Sequence, residues 1–238
     1  MTGDDAPLTG PVVFFTGAGI SVGAGLPTYR GTGGMYENTN LEPPNADDVT
    51  PERLPALWDR FRPRLKAFED LGPSRAHLAI AHLETVMPGE VTVVTQNVDG
   101  LHVLAGSTRV LELHGSLSTM RCLGAGHPHS VQDVDWAEGS APVCSICGQI
   151  CRPNVVLFGE SLPTEVFYAA GEAIRSARTI VAVGTSALVY PAAGLIAPQH
   201  TAGATCIWVN PETAPPTEAW TWLQGTADDE VADLLGAL

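Results

Sequence analysis

Short apolar runs alternate with polar, turn-forming stretches along most of the chain. Val12-Val13-Phe14-Phe15 is β-branched and aromatic and stops at Thr16-Gly17-Ala18-Gly19, the pattern of a buried strand feeding a glycine turn. Similar runs recur at Val91–Thr95, Val110–Leu113, Val155–Phe158, Thr179–Val183 and Thr205–Val209. Helical spacing occupies Ser74–Val86, Thr164–Ala177 and Pro191–Thr201, and Asp228–Leu238 predicts a terminal helix with acidic residues in its first turn. Strands alternating with helices predict an α/β fold: a parallel sheet covered by helices on both faces.

Two stretches break this rhythm. Residues 32–73 open as Gly/Asn/Pro-rich loop and continue into the helix-like Pro51–Asp70, whereas residues 119–152 gather cysteines among Gly, His, Pro and Ser. Both read as insertions that form one small module, with a helical and a cysteine-rich part. Residues 8–31, 74–118 and 153–238 are left for the main α/β domain.

Composition narrows the function classes. With 45% hydrophobic and 16% charged residues, the 238-residue chain is globular, and no apolar run reaches the length of a membrane span. The acidic Met1-Thr2-Gly3-Asp4-Asp5 lacks the basic flank of a signal peptide, so a cytoplasmic protein is expected. A formal charge of −14 repels phosphate backbones, which argues against nucleic acid as a partner and is compatible with cationic, lysine-rich ones. Cys122, Cys144, Cys147 and Cys151 crowd together, and without a secretion signal such clustering favours a metal over disulfides. Cys206, inside an apolar run, reads as a small buried hydrophobe.

Candidate chemistry sits where strands end. Gly17-Ala18-Gly19-Ile20-Ser21 follows the first strand, where backbone N–H groups can approach a pyrophosphate or simply close a tight turn. The third glycine of the usual dinucleotide fingerprint is replaced by Val22, which disfavours an ordinary dehydrogenase. Arg30, in the loop Pro27-Thr28-Tyr29-Arg30-Gly31, is suited to contacting phosphate or capping carbonyls. Gln96-Asn97-Val98-Asp99 ends another strand and serves either to orient a ligand or to cap a helix. His114, ending Val110–Leu113, has the chemistry of a general base, although a single histidine is more often structural.

Taken together, these segments resemble the sirtuin family of NAD-dependent protein deacylases. The resemblance runs from about residue 11 to 228 and also includes Arg152-Pro153-Asn154-Val155-Val156-Leu157-Phe158-Gly159-Glu160, Gly184-Thr185-Ser186, Pro191-Ala192-Ala193 and Asn210-Pro211-Glu212. It implies a Rossmann-like domain that binds NAD and a reaction in which the acyl group of an acyl-lysine passes to the ribose as nicotinamide leaves. It also implies roles. Gly17, Ala18, Gly19, Ile20 and Ser21 would hold the pyrophosphate, with Thr28, Tyr29 and Arg30 in a mobile cofactor loop. Gln96, Asn97, Val98 and Asp99 would line the nicotinamide pocket, Asp99 gripping the carboxamide. His114 would be the general base, assisted by Asn97 and Asp99. Gly184, Thr185, Ser186, Asn210, Pro211, Glu212 and Ala227 would surround the adenosine half. Val156, Leu157, Phe158, Gly159 and Glu160 would offer a strand edge to an acyl-lysine peptide.

The chain departs from the family pattern at two places. The zinc ribbon keeps Cys144-Ser145-Ile146-Cys147, but its first pair keeps only Cys122, since Ala125 stands three residues on. Cys151 is the expected fourth zinc ligand, with His127 and His129 as alternatives and a metal-free module as another. The Tyr-x-x-Arg pair of succinyl- and malonyl-removing members corresponds to Phe61 and Arg64, so that Arg64 either pairs with a carboxylated acyl group or lies on a solvated helix face.

Overall fold

The computed structural model describes residues 8–29, 34–35, 42–133 and 137–236. Arg30 lies outside them. Two sheets organise the chain. The larger has six strands: β1 (Val12–Thr16), β2 (Val91–Thr95), β3 (Val110–Glu112), β7 (Thr179–Val183), β8 (Thr205–Val209) and β9 (Thr221–Leu223). The smaller has three: β4 (Gly115–Cys122), β5 (Pro128–Ser130) and β6 (Cys151–Val155). The helices are α1 (Leu54–Glu69), α2 (Arg75–Val86), α3 (Leu101–Leu104), α4 (Thr164–Ser176), α5 (Pro198–Thr201) and α6 (Ala227–Leu234).

The large sheet is parallel throughout, in the order β3-β2-β1-β7-β8-β9. Counted within that sheet alone, this is the Rossmann order 3-2-1-4-5-6. Every residue of β1, β2 and β7 is buried because both faces are covered, which is why these strands read as unbroken apolar runs. Side chains still alternate. Val12, Phe14, Val181 and Val183 pack with Ile80 and Leu83 of α2 and Val231 of α6, whereas Val13, Phe15, Ile180 and Ala182 meet Ala170 and Ile174 of α4 on the opposite face.

Against the small antiparallel sheet, Leu54, Leu57, Trp58 and Phe61 of α1 pack on Leu117, Met120, Cys122, Cys151 and Val155. Trp58 Nε1 donates to the Cys151 carbonyl at 2.8 Å. The helical and cysteine-rich insertions therefore share one core. No helix among the described residues is long and apolar enough to cross a membrane.

Several elements differ from the sequence reading. The strand expected at Val155–Phe158 is Cys151–Val155, and it belongs to the small sheet. Its Arg, Pro and Asn are poor strand formers, and their burial beside β4 was invisible locally. Since β4 begins at Gly115, residues 115–118 and 153–155 sit in the small sheet rather than the main domain where the sequence reading put them. Gly115 makes the crossing: its φ is 73°, and a Cβ there would stand 2.0 Å from the Asn154 carbonyl oxygen. The helix expected over Pro191–Thr201 is a 3-10 turn at Ala192–Ile196 followed by α5. Pro198 separates them by lacking an N–H and holding Ala197 extended. Edge strand β9 was not foreseen, being three residues long.

Candidate active site

In a parallel sheet all strands end on one side, and ligands bind where the strand order reverses. Here that point is the gap beyond β1 and β7. Gly17 and Gly184 stand there so close that a Cβ on Gly17 would lie 2.9 Å from Gly184 O, and one on Gly184 would lie 2.4 Å from Ile20 N. The glycines thus permit contact between the two turns. Gly17 N donates to Val183 O, Gly19 N to Gly184 O and Ile20 N to Gly17 O. The Ala18 amide makes no hydrogen bond among the described residues and is open to an acceptor. A 3-10 helix, Ala18–Ala24, follows the turn.

The end of β2 is wired to this turn. Buried Asn97 donates from Nδ2 to Gly17 O (3.2 Å) and Ser21 Oγ (3.1 Å), and Ser21 Oγ donates to Asp99 Oδ2 at 2.7 Å. Asp99 Oδ1 accepts from Leu101 N at 3.0 Å, so Asp99 also caps α3. Gln96 Nε2 reaches Thr185 Oγ1 at 3.0 Å. Asn210 Nδ2 donates to Thr185 O at 3.0 Å, while its Oδ1 accepts from Glu212 N and Thr213 N. Ser186, Pro211 and Glu212 are exposed on the same rim, and Val98 and Thr28 are half-buried. Ala227 is buried at the start of α6.

His114 stands between β3 and β4, at the junction of the two sheets. Its Nδ1 lies 2.8 Å from the Gln96 carbonyl oxygen. A carbonyl only accepts, so Nδ1 carries the proton and Nε2 keeps a lone pair. Burial pushes the pKa of the ring down, opposed by that hydrogen bond, and the imidazole is therefore neutral at pH 7. A half-buried, neutral histidine with one nitrogen fixed and the other open is a proton acceptor.

Beneath the turn lies a polar layer that the sequence reading missed. His77 is fully buried with its ring centroid 4.6 Å from that of His102. Ser74 N donates to His77 Nδ1 at 3.3 Å, and His102 Nε2 lies 3.0 Å from Thr16 Oγ1, which donates to Thr95 Oγ1. Thr95 Oγ1 accepts from Asn97 N at 3.1 Å. Burial lowers the pKa of both histidines. The local signal was weak: His102 lies six residues past Gln96, but His77 sits in an ordinary helix.

Glu112, just before His114, carries a carboxyl pushed up to about 7 by burial and then by the Asp99 charge. A carboxyl raised in the fold from 4.5 withdraws stability as pH rises through 4.5 to about 7, and all of it is lost above. Glu112→Gln should therefore stabilise the protein at pH 8 by about 1–2 kcal/mol, after discounting for solvent at a partly exposed group, and hardly at all at pH 4.5. Thermal melts at both pH values check this; an equal change at both refutes it.

The remaining expected site residues lie on α1 of the small module and in the segment after β6. Phe61 is buried in the small module's core, with the Arg64 guanidinium 5.6 Å from its ring centre. Glu160 turns inward to Arg152. Phe158 is exposed and packs 6.2 Å, ring to ring, from Tyr29.

Of the cysteines, Cys122, Cys144 and Cys147 converge with His127, their ligand atoms all within 4.8 Å of one another. Tetrahedral zinc bonds imply S···S edges of roughly 3.8 Å and S···N edges of roughly 3.5 Å. Cys147 Sγ lies 3.6 Å from Cys122 Sγ, and His127 Nδ1 lies 3.7 Å from Cys122 Sγ and 3.5 Å from Cys144 Sγ. The donor set is thus compatible with a structural zinc. Cys151, the expected fourth ligand, is displaced by His127. It packs in the core beside Cys122, its thiol pushed up to about 11 by burial and the neighbouring sulfurs. His129 Nε2 sits 3.1 Å from Cys144 Sγ, a hydrogen-bonding contact shorter than a ligand edge.

Known proteins share this arrangement. Residues 17–191 match the Sir2 family. The chain is 42% identical over 229 residues to "NAD-dependent protein deacylase 2" of Pyrobaculum aerophilum, covering 94% of this chain and 89% of that protein. A Sir2 homologue solved in complex with NAD superposes with TM-score 0.80 at 34% identity, covering 94% and 88% of the two chains. A Sir2 complex with p53 peptide and NAD+ superposes with TM-score 0.77 at 29% identity, covering 98% and 94%. With the family model spanning most of the chain and relatives aligned over nearly its whole length, the chain belongs to the Sir2 family.

Proposed function

We propose that the protein is an NAD-dependent protein lysine deacylase, with His114 as the general base and Asn97 and Asp99 shaping the nicotinamide pocket. The observation that carries this reading is the fixed tautomer of His114 beside the wired Gly17–Asn97–Ser21–Asp99 network. NAD supplies a nicotinamide–ribose bond whose cleavage opens the ribose to the acyl oxygen of the substrate. His114 Nε2 takes the proton of a ribose hydroxyl. Asn97, Ser21 and Asp99 hold one another, so the pocket needs no rearrangement on binding; such alignment can contribute roughly 7–11 kcal/mol to lowering a barrier. Ala18 and the rims at Thr185, Ser186, Asn210 and Glu212 contact the dinucleotide's phosphate and adenosine parts. Tyr29 would contact the cofactor from the segment that follows the glycine turn. The partner is an acyl-lysine protein or peptide, not a nucleic acid or a membrane.

An acetyl-lysine peptide with NAD should give nicotinamide and O-acyl-ADP-ribose. Nicotinamide release at a comparable rate without peptide would instead indicate an NAD glycohydrolase or ADP-ribosyltransferase. For acyl choice, the proposal assigns Arg64 to a terminal carboxylate. Comparing succinyl- with acetyl-lysine peptides, Arg64→Met should lower kcat/KM for the succinyl peptide by about 10–100-fold and spare the acetyl one. Parallel loss on both peptides sinks that assignment.

A further inference from the structure

The segment after β6 folds around one buried guanidinium. Arg152 is 2% exposed, and its Nε donates to Pro153 O at 3.1 Å while Nη2 donates to Val155 O at 2.8 Å. Both Nη atoms meet the Glu160 carboxylate as a two-pronged pair, Nη2 to Oε2 at 2.9 Å. Glu160 Oε2 also accepts from Leu157 N at 2.8 Å. The loop from Val155 to Glu160 is thereby closed on itself by side chains. Burial opposes ionisation of Glu160, but the Arg152 fork, the Leu157 amide and nearby Arg121 hold its carboxyl below the usual range.

Counting backbone groups shows what the closure leaves open. Val156 N donates to His114 O, tying the loop to the turn that carries His114. Glu160 N donates to Leu157 O, Phe158 N to Pro44 O, and Ala46 N to Phe158 O. Among the described residues, the N–H and C=O of exposed Gly159 and the C=O of Val156 have no partner. Gly159 has φ 84°, and the only atom near its missing Cβ is Ala46 Cβ at 3.6 Å. Of the five residues expected to pair with a peptide, Gly159 alone has both backbone groups available.

We propose that Arg152 and Glu160 form a buried clasp that presents the Gly159 edge to the acyl-lysine peptide and registers it against His114. Both are positioning residues rather than contacts of the substrate. The inference rests on the deacylase reading above for its occupant. It explains why a carboxylate in a substrate loop faces away from the substrate: its charge is matched inside, where bidentate geometry fixes the loop more tightly than a single bond.

The test uses the full-length enzyme. Arg152→Lys keeps the charge and loses the fork. The double variant Arg152→Met with Glu160→Leu removes both charges, which leaves no unpaired buried ion and protects folding. Initial rates are measured against peptide and NAD separately. Expected is a rise in peptide KM of about tenfold or more, with NAD KM and kcat at saturating peptide within about threefold. Peptide KM within about twofold of the parent in a folded variant overturns the proposal, as does an equal change in both KM values. The clasp is also read without substrate. Leu157 amide exchange should be slow in the parent and at least about tenfold faster in Arg152→Lys; unchanged exchange overturns the clasp. Absence of acyl-lysine-dependent nicotinamide release in the parent is a separate result, which fails the deacylase reading alone.

Discussion

Replacing His114 with alanine should lower kcat/KM for an acyl-lysine peptide by about 10²–10⁴-fold while leaving NAD binding and melting temperature close to those of the parent. The side chain makes one hydrogen bond, from Nδ1 to Gln96 O, and is half-buried, so its removal leaves only a carbonyl that water can reach. The accompanying pH profile has a definite sign. Burial lowers the folded pKa below 6.5, so the ring is neutral, and able to accept a proton, down to that depressed value. Activity should be flat from pH 7 upward on this account and fall only as pH drops below 6.5. Folding stability shares the direction: His77, His102 and His114 are all held neutral, so the unfolded chain binds more protons below pH 6.5 and stability drops there. A fall in activity centred above pH 7, or an alanine variant with full turnover, removes His114 from the base role.

Cys144→Ala should abolish stoichiometric zinc in the purified protein and unfold the small module. Structural zinc sites contribute on the order of 10 kcal/mol to small domains. Here the loss is tempered by a core that includes Leu54, Trp58, Leu117 and Met120, so the large sheet should survive while α1 and β4–β6 melt at a lower temperature. His127→Ala should likewise lose the metal, since its Nδ1 supplies the fourth corner. Cys151→Ala should retain one zinc per chain. Metal analysis together with thermal melts decides among these. Zinc retained by His127→Ala and lost by Cys151→Ala reverses the assignment. The arrangement also accounts for the thiol chemistry: burial disfavours the Cys144 thiolate, but the amides of Cys147 and Ile146 and the rings of His129 and His127 outweigh it and bring the group to about 5.

Much of the active site was legible because the features that made it so are local. Gly17-Ala18-Gly19, Gln96-Asn97-Val98-Asp99 and His114 each follow an apolar run, and in a parallel sheet the end of a run is the ligand side. His77 was not legible. Nothing in an amphipathic helix says that its histidine will meet another 25 positions on, from a neighbouring helix. The inward pairing of Glu160 was not legible for a related reason: nothing local says that Arg152, eight residues earlier, will meet its carboxylate. Cys151 was preferred over His127 because cysteine clustering is visible along the chain, whereas the fold packs Cys151 in the small module's core and brings His127 to the other three ligand atoms.

From its own order of residues the chain determined a parallel sheet with helices on both faces, a phosphate-turn sequence and a strand-end histidine, since each depends on side-chain period and on what stands next to what. Folding decided which donors meet. The His114 tautomer, the His77–His102 layer, the fourth corner of the metal site and the inward turn of Glu160 all arise between residues far apart in the chain. Their hydrogen bonds and charges become strong only once burial has excluded water, and burial is a property of the packed whole.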